Sequence, residues 1–206
     1  MYLERLSDKV WQTRNARFTA SRRMKRSRIA STAAVALLSA SVIGINLLGY
    51  LPNVSTEMQN NITIGTIILS TFVLVMSLLI THLRYEWRED HYHRCAMELE
   101  HLNQEIQIKI DELRAGHDRR EEIVSAREDN IRFLEEYTLI TNKYNLNHTT
   151  FDHRYGRLDD NKQNIPCFDV ICLQLRYYVF DVYLLYWLVS IASLIPIACL
   201  FRDITQ

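Results

Sequence analysis

The sequence predicts an all-α integral membrane protein. Its parts are a transmembrane helical hairpin, a long cytoplasmic helical or coiled-coil arm, and a third hydrophobic helix toward the C-terminus. Three observations predict this class. Residues 29–51 and 62–83 are two apolar runs separated by a short connector. Basic residues crowd the outer flank of each run and avoid the connector. From residue 84 the chain becomes charged and helix-forming, with no proline before Pro166.

Residues 1–28 read as a basic amphipathic cytoplasmic helix. Leu3, Leu6, Val10, Trp11 and Phe18 recur at roughly helical spacing, with arginines between them. Such a segment can lie on an anionic inner leaflet, or simply continue the first spanning helix inward. Residues 29–83 form the hairpin. At about 1.5 Å rise per residue, each run can cross a hydrocarbon core of about 30 Å. Lipid offers the backbone no hydrogen-bond partner, so a spanning run must be helical. The whole chain balances Lys plus Arg at 24 against Asp plus Glu at 24, so net charge excludes nothing. Its distribution is informative. Arg14, Arg17, Arg22, Arg23, Lys25, Arg26 and Arg28 precede the first run, and Arg84, Arg88 and Arg94 follow the second. The connector carries only Glu57. Positive flanks stay inside, which predicts a multi-pass protein with its N-terminus cytoplasmic and the connector outside. The first run is too long for the apolar region of a signal peptide.

Residues 84–166 form the predicted arm. Cys95, Leu99, Leu102, Ile106, Ile110 and Leu113 step by three and four, which makes an apolar seam on a charged helix. Ile123, Ile131, Leu134 and Thr138 suggest a second seam after Gly116; two antiparallel helices turning near residues 115–117 fit this pattern, and one continuous long helix is the alternative. Nothing in the composition breaks the chain between Leu83 and Asp90, so the second spanning helix is expected to run straight into the arm. The seams need a partner, either another segment of this chain or another copy of it. Residues 167–206 are a C-terminal hydrophobic segment with a third predicted span at 177–201. Its first half is crowded with Tyr177, Tyr178, Tyr183, Tyr186 and Trp187, as in an interfacial aromatic belt.

No catalytic constellation stands out, and the expectation is a non-enzyme. There is no nucleophile elbow, P-loop or metalloprotease motif, and glycine occurs only five times. His91 and His93 lie two apart on a predicted helix and point to different faces, a poor metal pair. Cys95, Cys167, Cys172 and Cys199 form no C-x-x-C pair, so no metal or cofactor is expected. The helix-packing or pore candidates are Thr32, Ala36, Ala40, Gly44, Asn46, Ser70 and Ser77. The first four are spaced by four, so small residues line one face and let backbones approach closely in lipid. That face can pack the hairpin on itself, pack neighbouring subunits, or line a pathway. Asp181 is the acidic residue inside the third run. An intramembrane carboxylate is a functional candidate, although at about one turn into its helix it can also reach the head-group zone.

The basic start with Arg14-x-x-Arg17-Phe18, the two spans with a minimal connector, and the arm opening at Tyr92-x-Arg94-Cys95-Ala96-x-Glu98-Leu99 come in a characteristic order. Tyr144-x-x-x-His148-x-x-x-Asp152 follows, and Asn147-His148-Thr-Thr-Phe-Asp152 looks like an Asn-His-x-x-apolar-Asp motif. With these features the chain resembles the SLATT family of two-transmembrane effector domains, associated with bacterial nucleotide-signalling and SLOG-type sensor systems. Asn147, His148 and Asp152 are its family-like motif residues. The third apolar run departs from a strict two-helix description.

The resemblance implies an anti-phage defence effector in a bacterial inner membrane, working with a CD-NTase-like nucleotide cyclase. Such an effector is expected to form homo-oligomers and to permeabilise the bilayer when a nucleotide second messenger changes. A regulatory cyclic nucleotide is the implied ligand, with Arg154, Tyr155 and Arg157 as generic candidates, and no nucleic-acid polymer is expected. The competing reading is a non-conducting membrane scaffold or adaptor that recruits a cytosolic partner through its arm.

Overall fold

The computed structural model describes residues 2–52, 54–115, 119–146, 149–156 and 171. Five helices account for nearly all of them: α1 (Tyr2–Leu48), α2 (Thr56–Leu83), α3 (Tyr85–Ala115), α4 (Arg119–Tyr144) and α5 (Thr150–Gly156). The fold is all-helical among these residues. The predicted third hydrophobic helix at 177–201 lies outside them. Two compact units divide the chain, Met1–Met24 with Glu86–Leu173, and Lys25–Tyr85 with Gln174–Gln206. The 47-residue α1 passes from one into the other without a break.

In the first unit the start of α1 packs with α3 and α4. Leu3, Leu6 and Val10 join Cys95, Leu99, Leu102, Ile106, Ile110, Phe133 and Ile140 in one buried cluster. Leu3, Leu6 and Val10 of the apolar stripe therefore fill a protein core. They are also the partner that the α3 seam requires, supplied by this chain itself. Replacing a fully buried leucine here by alanine costs about 2–5 kcal/mol. Polar contacts set the register. Ser7, 3% exposed, donates to Asn103 Oδ1 at 3.0 Å and accepts from Gln107 Nε2. A buried polar layer of this kind pairs correctly only in one alignment of the helices. Arg114 to Glu4 and Arg14 to Glu100 run α1 antiparallel to α3. Lys109 to Asp129 and Lys143 to Glu98 run α4 antiparallel to α3, as the turn after residue 115 predicts.

The seam of α4 differs from the expected one. Phe133 and Ile140 are buried, and Ala126, Tyr137 and Tyr144 pack beside them. Ile131 and Leu134 are 51% and 44% exposed, and Thr138 is exposed as well. The stripe through Phe133 and the two tyrosines buries more aromatic surface than the Ile–Leu stripe, and Tyr137 adds a 3.1 Å hydrogen bond to Thr13 on α1. The run from the second apolar segment into the arm is also interrupted. Arg84 takes left-handed backbone angles (φ 48°, ψ 44°), and its N–H donates to the Thr81 carbonyl to cap α2 before α3 begins.

In the second unit α2 starts at Ser55, whose side chain accepts from the Met58 N–H at 3.3 Å. Ile62 and Thr66 are the buried side chains of α2, while Ile64, Ile67, Ile68, Phe72, Leu74, Val75, Leu78 and Leu79 are exposed. On α1, Leu37, Ile43 and Leu47 are exposed in the same way. α1 and α2 are both long and apolar enough to cross a membrane, and a coat of exposed aliphatic side chains calls for an apolar surround. The hydroxyls follow the same logic. Thr32, Ser39, Ser41, Ser70 and Thr71 each donate to a carbonyl one turn back in their own helix, so none depends on water.

Candidate functional site

Two sets of residues carry the functional argument, one in each unit. In the apolar unit, Thr32, Ala36 and Ala40 are exposed, and a Cβ added at Gly44 would meet nothing within 4 Å. The small-residue face of α1 thus points away from α2. α1 and α2 instead approach at Gly49 and Ile62, and Ile62 and Thr66 are the buried side chains of α2. Gly49 permits that approach near the connector, where an added Cβ would sit 3.5 Å from the Ile62 side chain. Asn46 is the one packing candidate that joins the two helices, since its Oδ1 accepts from Thr66 Oγ1 at 3.2 Å. Ser70 and Ser77 are exposed. Asp181 lies outside the described residues.

In the bundle unit, α5 meets α1 at both of its ends. Gly156 lies on the α1 backbone, where an added Cβ would fall 3.0 Å from the Asn15 carbonyl carbon and 3.1 Å from the Ala16 nitrogen. At the other end of α5, Asp152 is fully buried. Its Oδ2 accepts from Arg23 Nη2 at 2.9 Å, from the Thr149 N–H at 3.1 Å and from Thr149 Oγ1 at 2.8 Å. Thr149 returns the favour by accepting the Asp152 N–H at 3.2 Å, which completes a capping box at the start of α5. Asp152 is therefore the described member of the family-like motif with a defined role. Asn147 and His148 lie outside the described residues, as does Arg157. Arg154 is exposed and Tyr155 half-buried.

Arg17 lies on α1 between these two anchor points. It is only 4% exposed, and its guanidinium sits 5.6 Å from the centre of the Tyr92 ring. Burial raises the Tyr92 hydroxyl above its ordinary pKa, against the pull of the Arg17 charge, and Asp152 and Arg23 also act on the same ring. Nε and Nη1 of Arg17, Nε of Arg23 and Oδ1 of Asp152 are buried and have no hydrogen-bond partner among the described residues. Each buried polar group left unpaired costs about 1–3 kcal/mol, so the cluster is poorly satisfied as it stands. Sequence reasoning counted Arg17 and Arg23 among the basic flank and missed the pairing of Arg23 with Asp152 and the seat of Arg17 on Tyr92. The motif spacing pointed to Asp152, but its partner is 129 residues away.

The remaining chemistry-bearing residues are absorbed by packing. Cys95 is fully buried, and burial holds its thiol above the ordinary range. His93 meets Phe18 edge-on at 5.8 Å, while His91 packs against Trp87 at 3.8 Å, so the two histidines do face different ways. Among the described residues no three His, Cys, Asp or Glu side chains are grouped to hold a metal ion.

No curated protein and no solved structure matches the chain. Residues 1–199 match SMODS and SLOG-associating 2TM effector domain family 5, and the chain belongs to that family.

Proposed function

We propose that this chain is a membrane effector of anti-phage defence that oligomerises and permeabilises the bacterial inner membrane under control of a nucleotide second messenger. Membership of a two-transmembrane effector family associated with defence systems supports the reading. The observation that carries it is the open face of α1 at Thr32, Ala36, Ala40 and Gly44. In lipid, where apolar surface gives helices no reason to associate, such a face is an attachment surface for another helix. Among the described residues α2 does not use it, and a neighbouring copy is the occupant this reading assigns to it. The bundle receives the signal. A ligand then shifts closed and open packings only by binding one of them better than the other.

The test is Ala40→Leu, which fills the face without touching α2. Cells expressing the activated wild-type protein admit a membrane-impermeant dye and lose membrane potential. The variant inserts to the same level and leaves both intact. Full toxicity of Ala40→Leu would remove the face from the mechanism, and intact membranes under verified wild-type activation would remove permeabilisation.

A scaffold role has its own observation, the exposed Ile131 and Leu134 on α4. It predicts that activity survives replacement of both apolar helices by unrelated spans, which permeabilisation does not tolerate.

A further inference from the structure

We infer that Arg17 and Arg23 form a receptor for a phosphate oxyanion, with the Asp152 carboxylate as the internal occupant that such an anion displaces. Three observations converge on it. Arg17, 4% exposed, lies 5.6 Å from the centre of the Tyr92 ring, and Arg23 pairs with the fully buried Asp152 at 2.9 Å; both guanidinium groups and that carboxylate act on the Tyr92 hydroxyl. Three of their donor nitrogens have no acceptor among the described residues. The carboxylate that is present does not supply one. Its Oδ2 is already engaged by Arg23 and twice by Thr149, and its Oδ1 has no hydrogen-bond partner among the described residues.

Phosphate suits this arrangement better than the carboxylate does. A phosphoryl group presents three oxygens and a charge near two, and guanidinium forks bind it in bidentate fashion. It can therefore engage Arg17 and Arg23 together, whereas Asp152 reaches only Arg23. Binding would cost α5 its buried anchor at Asp152, while the Gly156 contact on α1 stays in place. The site thus links an anion to the release of α5 from the helix that continues into the apolar unit. As the control point of the effector it rests on the function proposed above, but the binding itself does not. The same chemistry is offered by a soluble nucleotide and by a lipid phosphomonoester.

The experiment uses the purified full-length chain in phosphatidylcholine nanodiscs, without any toxicity assay. Inorganic pyrophosphate is titrated at constant ionic strength, and amide hydrogen exchange is followed at residues 150–156 and at Leu99. A second arm replaces pyrophosphate by nanodiscs containing phosphatidic acid. The expected result is a saturable rise in exchange at 150–156 with Leu99 unchanged. Arg17→Gln weakens the apparent affinity roughly tenfold or more, the loss of one charge-assisted contact, and Arg22→Gln, which changes an exposed neighbour, does not. Arg17→Lys keeps the charge but loses the fork, and it decides the question if Arg17→Gln unprotects Leu99. A response to pyrophosphate assigns a soluble ligand, and a response confined to phosphatidic acid assigns a lipid. No saturable response in either arm overturns the proposal, as does a response that Arg22→Gln weakens as much as the Arg17 variants.

Discussion

Gly156 bears no side chain where α5 lies on the backbone of α1. An added Cβ would press on main-chain atoms of Asn15 and Ala16 at 3.0 to 3.1 Å, and backbone cannot swing aside as a side chain can. Gly156→Ala is therefore expected to lift α5. Hydrogen exchange at residues 150–155 should rise while Leu99 stays protected. The intrinsic preference for alanine over glycine in a helix, about 1 kcal/mol, acts in the opposite direction. Slower exchange in the variant would thus show that the close approach does not limit docking. Nothing in the sequence singles out Gly156, because the atoms it approaches belong to a segment 140 residues earlier. Asp152 was legible through its motif spacing. Arg17 and Arg23 were legible only as members of a basic flank, since local charge patterning cannot tell a buried guanidinium from a solvated one.

At the level of helices, the seam of α3 was fully legible, since Leu99, Leu102 and Ile106 keep strict helical spacing and all three are buried. Leu99→Ala should lower bundle stability by about 2–5 kcal/mol, measured by denaturant unfolding in detergent. A loss under about 1 kcal/mol would mean that the cluster repacks around the void. The α4 seam was misread because hydropathy favours Ile131 and Leu134 over Tyr137 and Tyr144, whereas packing rewards the larger rings with polar tips. Arg84 was not legible at all, since left-handed caps favour glycine or asparagine.

The clasp between α3 and α4 makes a pH prediction. For Glu98, burial alone would raise the carboxyl, but the hydrogen bonds from Lys143 and Tyr144 outweigh it and hold the group below 4.5. A depressed carboxylate stabilises the fold above its unfolded pKa, and the contribution is lost as pH falls through the folded value. Lys143, raised above 10.5 by its hydrogen bond to Glu98, stabilises below its unfolded pKa and loses the contribution as pH rises through the folded one. The clasp therefore acts across the neutral range. Glu98→Gln should lower Tm slightly at pH 7 and flatten the acid limb of the Tm profile below pH 4.5. An acid limb unchanged in the variant would assign it to other carboxylates.

For the whole molecule, the continuity of α1 is the decisive feature. The sequence marks a change from a basic amphipathic stretch to an apolar one near residue 29, and leaves open whether the first lies on a leaflet or continues the spanning helix inward. The backbone makes one helix, because no proline or glycine intervenes between Tyr2 and Gly44 and neither half contains a cap that would end it. At about 1.5 Å per residue it extends about 70 Å. Its first part fills the bundle core, and its last part carries the open small-residue face. If the bundle governs the apolar unit, α1 is the element that belongs to both and can carry the change. Lys25 lies at the division between the units and is exposed, so it can be altered without removing a core contact. Lys25→Pro removes a helical hydrogen bond and kinks the helix, at a cost of about 3 kcal/mol or more, while Lys25→Ala leaves it straight. The proline variant should insert, keep Leu99 protected from exchange and fail to admit the impermeant dye on activation, whereas the alanine variant behaves as wild type. Dye entry at the wild-type rate through a kinked α1 would mean that the two units communicate by another route, and that the length of this helix is architectural alone.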